Sequence, residues 1–104
     1  MIARRRLNDR RASVSFNFEC AGLKYTATIS CYPDGSIGEL FLSNHKSNSA
    51  ADTNARDAAI TFSIAVQHGA DVDTIRKALC RDSQGRPSGP LGCALDAIAG
   101  EDGR

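Results

Sequence analysis

The chain has 104 residues, 41% of them apolar and 6% aromatic, with a formal net charge of +1. That length makes one domain around a single modest core, and cores of this size often gain stability by self-association, so a homo-oligomer, a dimer or higher, is expected. No apolar run approaches the ~20 residues of a membrane span and no secretory signal opens the chain, so no membrane partner and a cytoplasmic location are expected.

Charge is unevenly spread. Residues 1–11 hold Arg4, Arg5, Arg6, Arg10 and Arg11 against Asp9, while the remainder is slightly acidic. The plain reading is a flexible, solvated arm over 1–11; the sharper one is an arm that reaches a phosphate-bearing ligand or nucleic acid. Without a basic stripe on the folded body, general nucleic-acid binding is not expected, whereas a small anionic ligand fits.

Residues Ala12 to Glu19 alternate, with Val14, Phe16 and Phe18 on one face and Ser13, Ser15 and Asn17 on the other, which predicts a half-buried strand. Cys20-Ala21-Gly22 makes a short turn. A second alternating run from Leu23 to Tyr32 then predicts an antiparallel hairpin. Pro33-Asp34-Gly35-Ser36 is a turn, because proline presets one dihedral angle and glycine supplies a positive one. Ile37 to Ser43 completes a three-stranded meander, Leu40 and Leu42 facing away from Glu39 and Phe41.

The stretch Ala51 to Gly69 carries the longest apolar run, with apolar side chains at nearly every angular position of a 3.6-residue period. It predicts a central helix covered on most sides. Asp52, Thr53 or Asn54 can cap its start, and Gly69 can take the left-handed conformation that ends it. Asp71 caps a second helix carrying Val72, Ile75, Ala78 and Leu79, with Arg76, Lys77 and Arg81 on its polar face and Asp82 of the wrong sign at its end. After the loop DSQGRPSGP, Pro90 starts a short third helix that Gly100 ends. The expected fold is α+β, a three-stranded antiparallel meander followed by three helices on one face (β-β-β-α-α-α), one domain over 12–100 with a tail at 101–104.

The polar run Asn44 to Asn54 leads into the central helix, whose N-terminal N–H groups favour an anion, and the competing reading is an ordinary connecting loop. His45 and His68 each lack a sequence-local partner to orient them for acid–base work, and His68 suits the negative end of a helix. Cys20, Cys31, Cys80 and Cys93 form no C-x-x-C pair, so they read as reduced, partly buried thiols; no catalytic residue, metal or cofactor is expected.

The run from Tyr32 to Ala99 resembles the TSCPD-type domain, named after a Thr-Ser-Cys-Pro-Asp motif, found at the C-terminal end of cobalamin-dependent ribonucleotide reductases and as free-standing proteins. The likeness rests on PDGSIGELFLSNHKSNSA, on ARDAAITFSIAVQHGADVDTIRKAL and on the ending GCALDAIA, where Cys93 and Asp96 match the motif and Ala94-Leu95 lacks its proline. His68 takes the usual aromatic position of the turn after the buried helix. The resemblance implies a reductase-related module, but the radical chemistry belongs to a large barrel with its own cysteines and cobalamin site, which 104 residues are too short to contain. Free-standing relatives are similar to phage proteins that sequester cyclic-nucleotide or cyclic ADP-ribose signals of bacterial immunity, the anti-Thoeris sponges.

Three functions follow as expectations. The first is non-catalytic binding of a phosphorylated nucleotide-type ligand, an anti-defence sponge at its most specific. Lys46, Ser47, Arg56, Arg81 and Arg86 would serve the phosphates, Asn44 the base or ribose, and Phe41 or His45 stacking. The second is an accessory or regulatory module that docks on a reductase or another nucleotide-metabolising enzyme. The third is a hydrolase or metal-dependent enzyme using His45, His68, Cys93 and nearby carboxylates.

Overall fold

The computed structural model describes residues 3–8 and 12–100; the expectations for residues 1, 2 and 9–11 of the arm and for the tail at 101–104 lie outside the described residues. Three strands, β1 (Ser13–Cys20), β2 (Leu23–Cys31) and β3 (Ile37–Asn44), form one antiparallel sheet in the order β1-β2-β3. Three helices follow: α1 (Ala50–Gln67), α2 (Val72–Ala78) and α3 (Pro90–Ala99). This is the β-β-β-α-α-α order that the alternating and helical periods predict.

The β1–β2 hairpin closes through two residues, Ala21 and Gly22, at φ 52° and 79°. Two successive positive φ values match the twist of the flanking strands, which is why this turn holds the register Cys20–Leu23, Phe18–Tyr25, Phe16–Ala27. One face of the sheet then gathers Phe16, Phe18, Tyr25, Ala27, Leu40 and Leu42 under the helices. The other carries Ser15, Thr28 and Phe41 across one row and Asn17, Thr26 and Ser43 across the next.

Helix α1 lies on β3, and α3 reaches β1. Ala55 and Ala59 are fully buried and let the α1 backbone approach the sheet, while Phe62 fills the space beside them. Burying a leucine or phenylalanine contributes roughly 1.5–3 kcal/mol, so Leu40, Leu42, Phe62 and Leu95 dominate this small core. The expectation that α1 is covered on most sides is corrected. Its buried side chains fall on one face, and Ile60 and Ile64 remain 49% and 44% exposed. A single three-stranded sheet has only one face to offer, so half the helix is left to solvent.

Two further local expectations change. Ser49 caps α1, its hydroxyl accepting from the Asp52 N–H, whereas Asp52 points back to the strand. Asp82 does not oppose a helix end, because α2 stops at Ala78. Its carboxylate instead accepts the N–H groups of Gln84 and Arg86 and organises the following turn. Gly69 at φ 99° and Gly100 at φ 80° do take the left-handed conformation expected beyond α1 and α3.

Residues 3–8 run against the body. The Arg5 N–H donates to the Gln67 carbonyl at 2.7 Å, and its guanidinium lies 3.7 Å from the centroid of the Tyr32 ring and 3.2 Å from Asp34. The last turn of α1 has no basic residue of its own. Arg4, bonded to the Gln67 side chain, and Arg5 place positive charge at that negative helix end from elsewhere in the chain.

Candidate functional site

The eight residues expected to bind ligand fall into three places. Asn44, Lys46, Ser47 and Arg56 surround the start of α1. Here Asp52 is the hub: its Oδ1 accepts the Asn44 N–H at 2.9 Å, and its Oδ2 lies 3.4 Å from the Asn48 N–H and 3.0 Å from Arg56 Nε. The Asn44 N–H and the Arg56 guanidinium hold the Asp52 carboxyl below the usual carboxylate range. The N-terminal end of α1 therefore already holds an anion belonging to the chain. Asn44 Oδ1 accepts the Lys46 N–H, while its buried Nδ2 has no hydrogen-bond partner. Lys46 and Ser47 are exposed on the turn.

Phe41 and His45 lie on the side of the sheet away from the helices. Phe41 is 52% exposed, and His45 Nε2 sits 3.0 Å from the Thr26 hydroxyl, which donates to Asn17. His68 is at the far end of α1, its Nδ1 2.9 Å from the Ile64 carbonyl. The two histidines do not share a site.

Arg81 and Arg86 belong to the α2–α3 connection. The Arg81 guanidinium grips Asp96 with two bonds of 2.8 Å, and Arg76 approaches the same carboxylate at 3.3 Å. Arg76 was expected on the polar face of α2 but is buried, 7% exposed, and also bonds Asp73. Bonding from Arg81, then Arg76, holds Asp96 below the usual carboxylate range despite its burial. Sequence reading missed this triad because its members are 5, 15 and 20 residues apart on three different segments; Asp96 was marked only through the motif resemblance.

Beside the triad, an open cleft of about 960 Å³ separates the end of β1 from the connection. Asn17, Phe18, Glu19 and Cys20 form one wall, with Arg86, Pro87, Ser88 and Cys93 opposite. Its volume is that of a small-molecule site. Of the eight expected residues only Arg86 lines it, its exposed side chain 3.2 Å from Asp82. Glu19 and Asp82 leave the lining more acidic than a phosphate pocket.

Cys93 does have a thiol neighbour. Folding sets Cys20, from the end of β1, against it, and burial followed by the Cys20 hydrogen bond pushes the Cys93 thiol up to about 12. A thiol held protonated is a poor nucleophile and a poor metal ligand. Among the described residues no three His, Cys, Asp or Glu side chains gather as a metal site, and no helix is long and apolar enough to cross a membrane.

Set beside known proteins, the chain matches no family model and no solved structure. Over 72 residues it is 33% identical to the vitamin B12-dependent ribonucleotide reductase of Rhodopirellula baltica. That match takes in 69% of this chain and 7% of the reductase. The chain is thus similar to a small segment of a cobalamin-dependent reductase, which agrees in outline with the likeness read from its motifs.

Proposed function

We propose that the chain is a TSCPD-type, reductase-related accessory module that docks on a larger nucleotide-metabolising enzyme and carries out no chemistry itself. The observation that carries this reading is the 33% identity over 72 residues to a segment only 7% as long as the reductase. A segment of that size within a large enzyme acts by contact with the rest of it. The exposed Ile60 and Ile64 on α1, one turn apart, supply an apolar stripe for such contact. One observation speaks against the enzymatic alternative: His45 bonds the sheet before α1 whereas His68 sits at the far end of that helix, so the two share no site.

The test is affinity purification from the native host. Co-elution with a ribonucleotide reductase, weakened by Ile60→Asp, supports the reading; elution alone from cells that contain the reductase sinks it.

A second reading is favoured by one exposed cation, Arg86, beside ligand-sized space. It is non-catalytic binding of a phosphorylated nucleotide-type ligand, at its most specific a sponge for a cyclic nucleotide or cyclic ADP-ribose signal. Arg86 on the rim of the cleft, and Lys46 and Ser47 at the start of α1, would meet phosphate, with Phe41 or His45 offering a stacking surface. A ligand at about 100 times its Kd would add about 2.7 kcal/mol of stability, readable as a thermal shift against a nucleotide panel. Loss of that shift in Arg86→Ala or Lys46→Ala would locate the site, and release of the ligand chemically unchanged would exclude turnover.

A further inference from the structure

The two edges of the sheet are treated differently. On β3, the His45 N–H donates to the Lys24 carbonyl, so by alternation the even-numbered residues turn their backbone groups away from β2. Helix α1 covers this edge and meets four of these groups, with Leu42 buried between them: Gln67 donates to the Gly38 carbonyl at 2.8 Å, the Ser63 hydroxyl meets both groups of Leu40, and Asp52 accepts the Asn44 N–H. That edge is closed by side chains of the chain's own helix.

The β1 edge has no such cover. The Cys31 N–H donates to the Ala12 carbonyl at 3.1 Å, which sets the alternation and turns Ser13, Ser15, Asn17 and Glu19 outward. Among the described residues, none of these outward backbone groups has a hydrogen bond. Beside this edge, on the helix face, Val14 is 63% exposed and Phe16 only half-buried. An open strand edge with an apolar flank invites a further strand.

We propose that this chain forms a twofold dimer through β1, two copies pairing antiparallel about an axis at Phe16. The strand is complementary to itself in that register. Val14 faces the second copy's Phe18 and Phe16 meets its own counterpart, extending the apolar face. Ser15 faces Asn17 and Ser13 faces Glu19, with no like charges opposed. Four outward residues on each strand exchange about eight N–H···O=C bonds. Because α1 closes the β3 edge, association stops at two copies and does not run on into a fibre.

The pairing has a consequence for the cleft. Asn17 and Glu19 form part of its wall, so the second copy's Ser13 to Ser15 segment runs along it and makes it a site between subunits.

Light scattering on the eluting protein at micromolar concentration is expected to give twice the 11.1 kDa of one chain. Ser15→Pro removes an N–H that makes no bond to β2, so it should return the mass to that of a monomer with the circular dichroism unchanged. Should that variant fail to fold, a register-specific cross-link decides. In a Cys80→Ser background, Ser15→Cys mixed with Asn17→Cys should give a covalent dimer under mild oxidation, because hydrogen-bonded partners sit about 5.5 Å apart at Cα, within disulfide reach. Neither variant alone should do so. A monomeric parent protein, an Ser15→Pro variant that folds and stays dimeric, or no cross-link in the mixture would overturn the proposal, as would a monomer whose β1 edge takes up only a foreign peptide.

Discussion

The Ser63 hydroxyl and the backbone of Leu40 form the tie between the central helix and the sheet. Ser63 Oγ accepts the Leu40 N–H at 2.9 Å and stands 3.0 Å from the Leu40 carbonyl and 2.8 Å from that of Ala59, its one proton shared between the two. A serine inside an apolar helix is thus a strand substitute, satisfying an edge that would otherwise be buried unpaired.

Ser63→Ala leaves the buried Leu40 N–H without a partner. The expected loss is about 1–3 kcal/mol, the desolvation penalty of an unsatisfied buried group, measured by urea denaturation. A variant as stable as the parent would show that water replaces the hydroxyl.

Asp96 pairs with both Arg76 and Arg81. Asp96→Asn keeps the shape and removes the charge, so the buried Arg76 keeps Asp73 but loses its second carboxylate, at a cost of about 1.5–3 kcal/mol. For a domain of this size that is a large share of total stability, so the variant should melt far below the parent. Asp52 and Asp96 both have folded pKa values below the ordinary 3.8. The unfolded chain therefore binds protons first as acid is added. Stability from these groups is full above the unfolded pKa of about 4 and is lost as pH falls through the lower folded values. Melting temperature should be flat near neutrality and drop below that point, and Asp96→Asn should drop less steeply.

The thiols should label in order of access. Cys80 is exposed, whereas Cys20 is buried and Cys93 is held protonated to about 12. Iodoacetamide at neutral pH should modify Cys80 first, with Cys20 and Cys93 reacting only on unfolding, as read by mass spectrometry. Rapid labelling of Cys93 in the folded protein would contradict the upward push on its thiol from partial burial and Cys20.

Gly38 is where the arm meets the sheet. A Cβ there would stand 2.5 Å from Leu7 Cδ2 and 2.7 Å from the Tyr32 ring. Gly38→Ala must displace the ring that stacks under Arg5, at about 1–3 kcal/mol. Faster proteolysis at Arg4 to Arg6 should accompany the loss. Unchanged cleavage and stability would mean that the arm does not depend on this contact.

The strands, the hairpin, the order of elements and the C-terminal ends of α1 and α3 were legible along the sequence, because alternation, helical period and glycine punctuation act between near neighbours. Local reading failed where a side chain's role depends on what lies opposite. Asp52 looked like a cap and ties β3; Arg76 looked solvated and is buried; Cys93 looked alone and meets Cys20 across 73 residues. Those outcomes are set by long-range packing, since a sheet with one covered face decides which side of α1 is buried, which charges must pair and which strand edge is left open. The sequence by itself determined the elements and their order; the tertiary structure alone decided which groups are already satisfied within the chain and which remain for a partner.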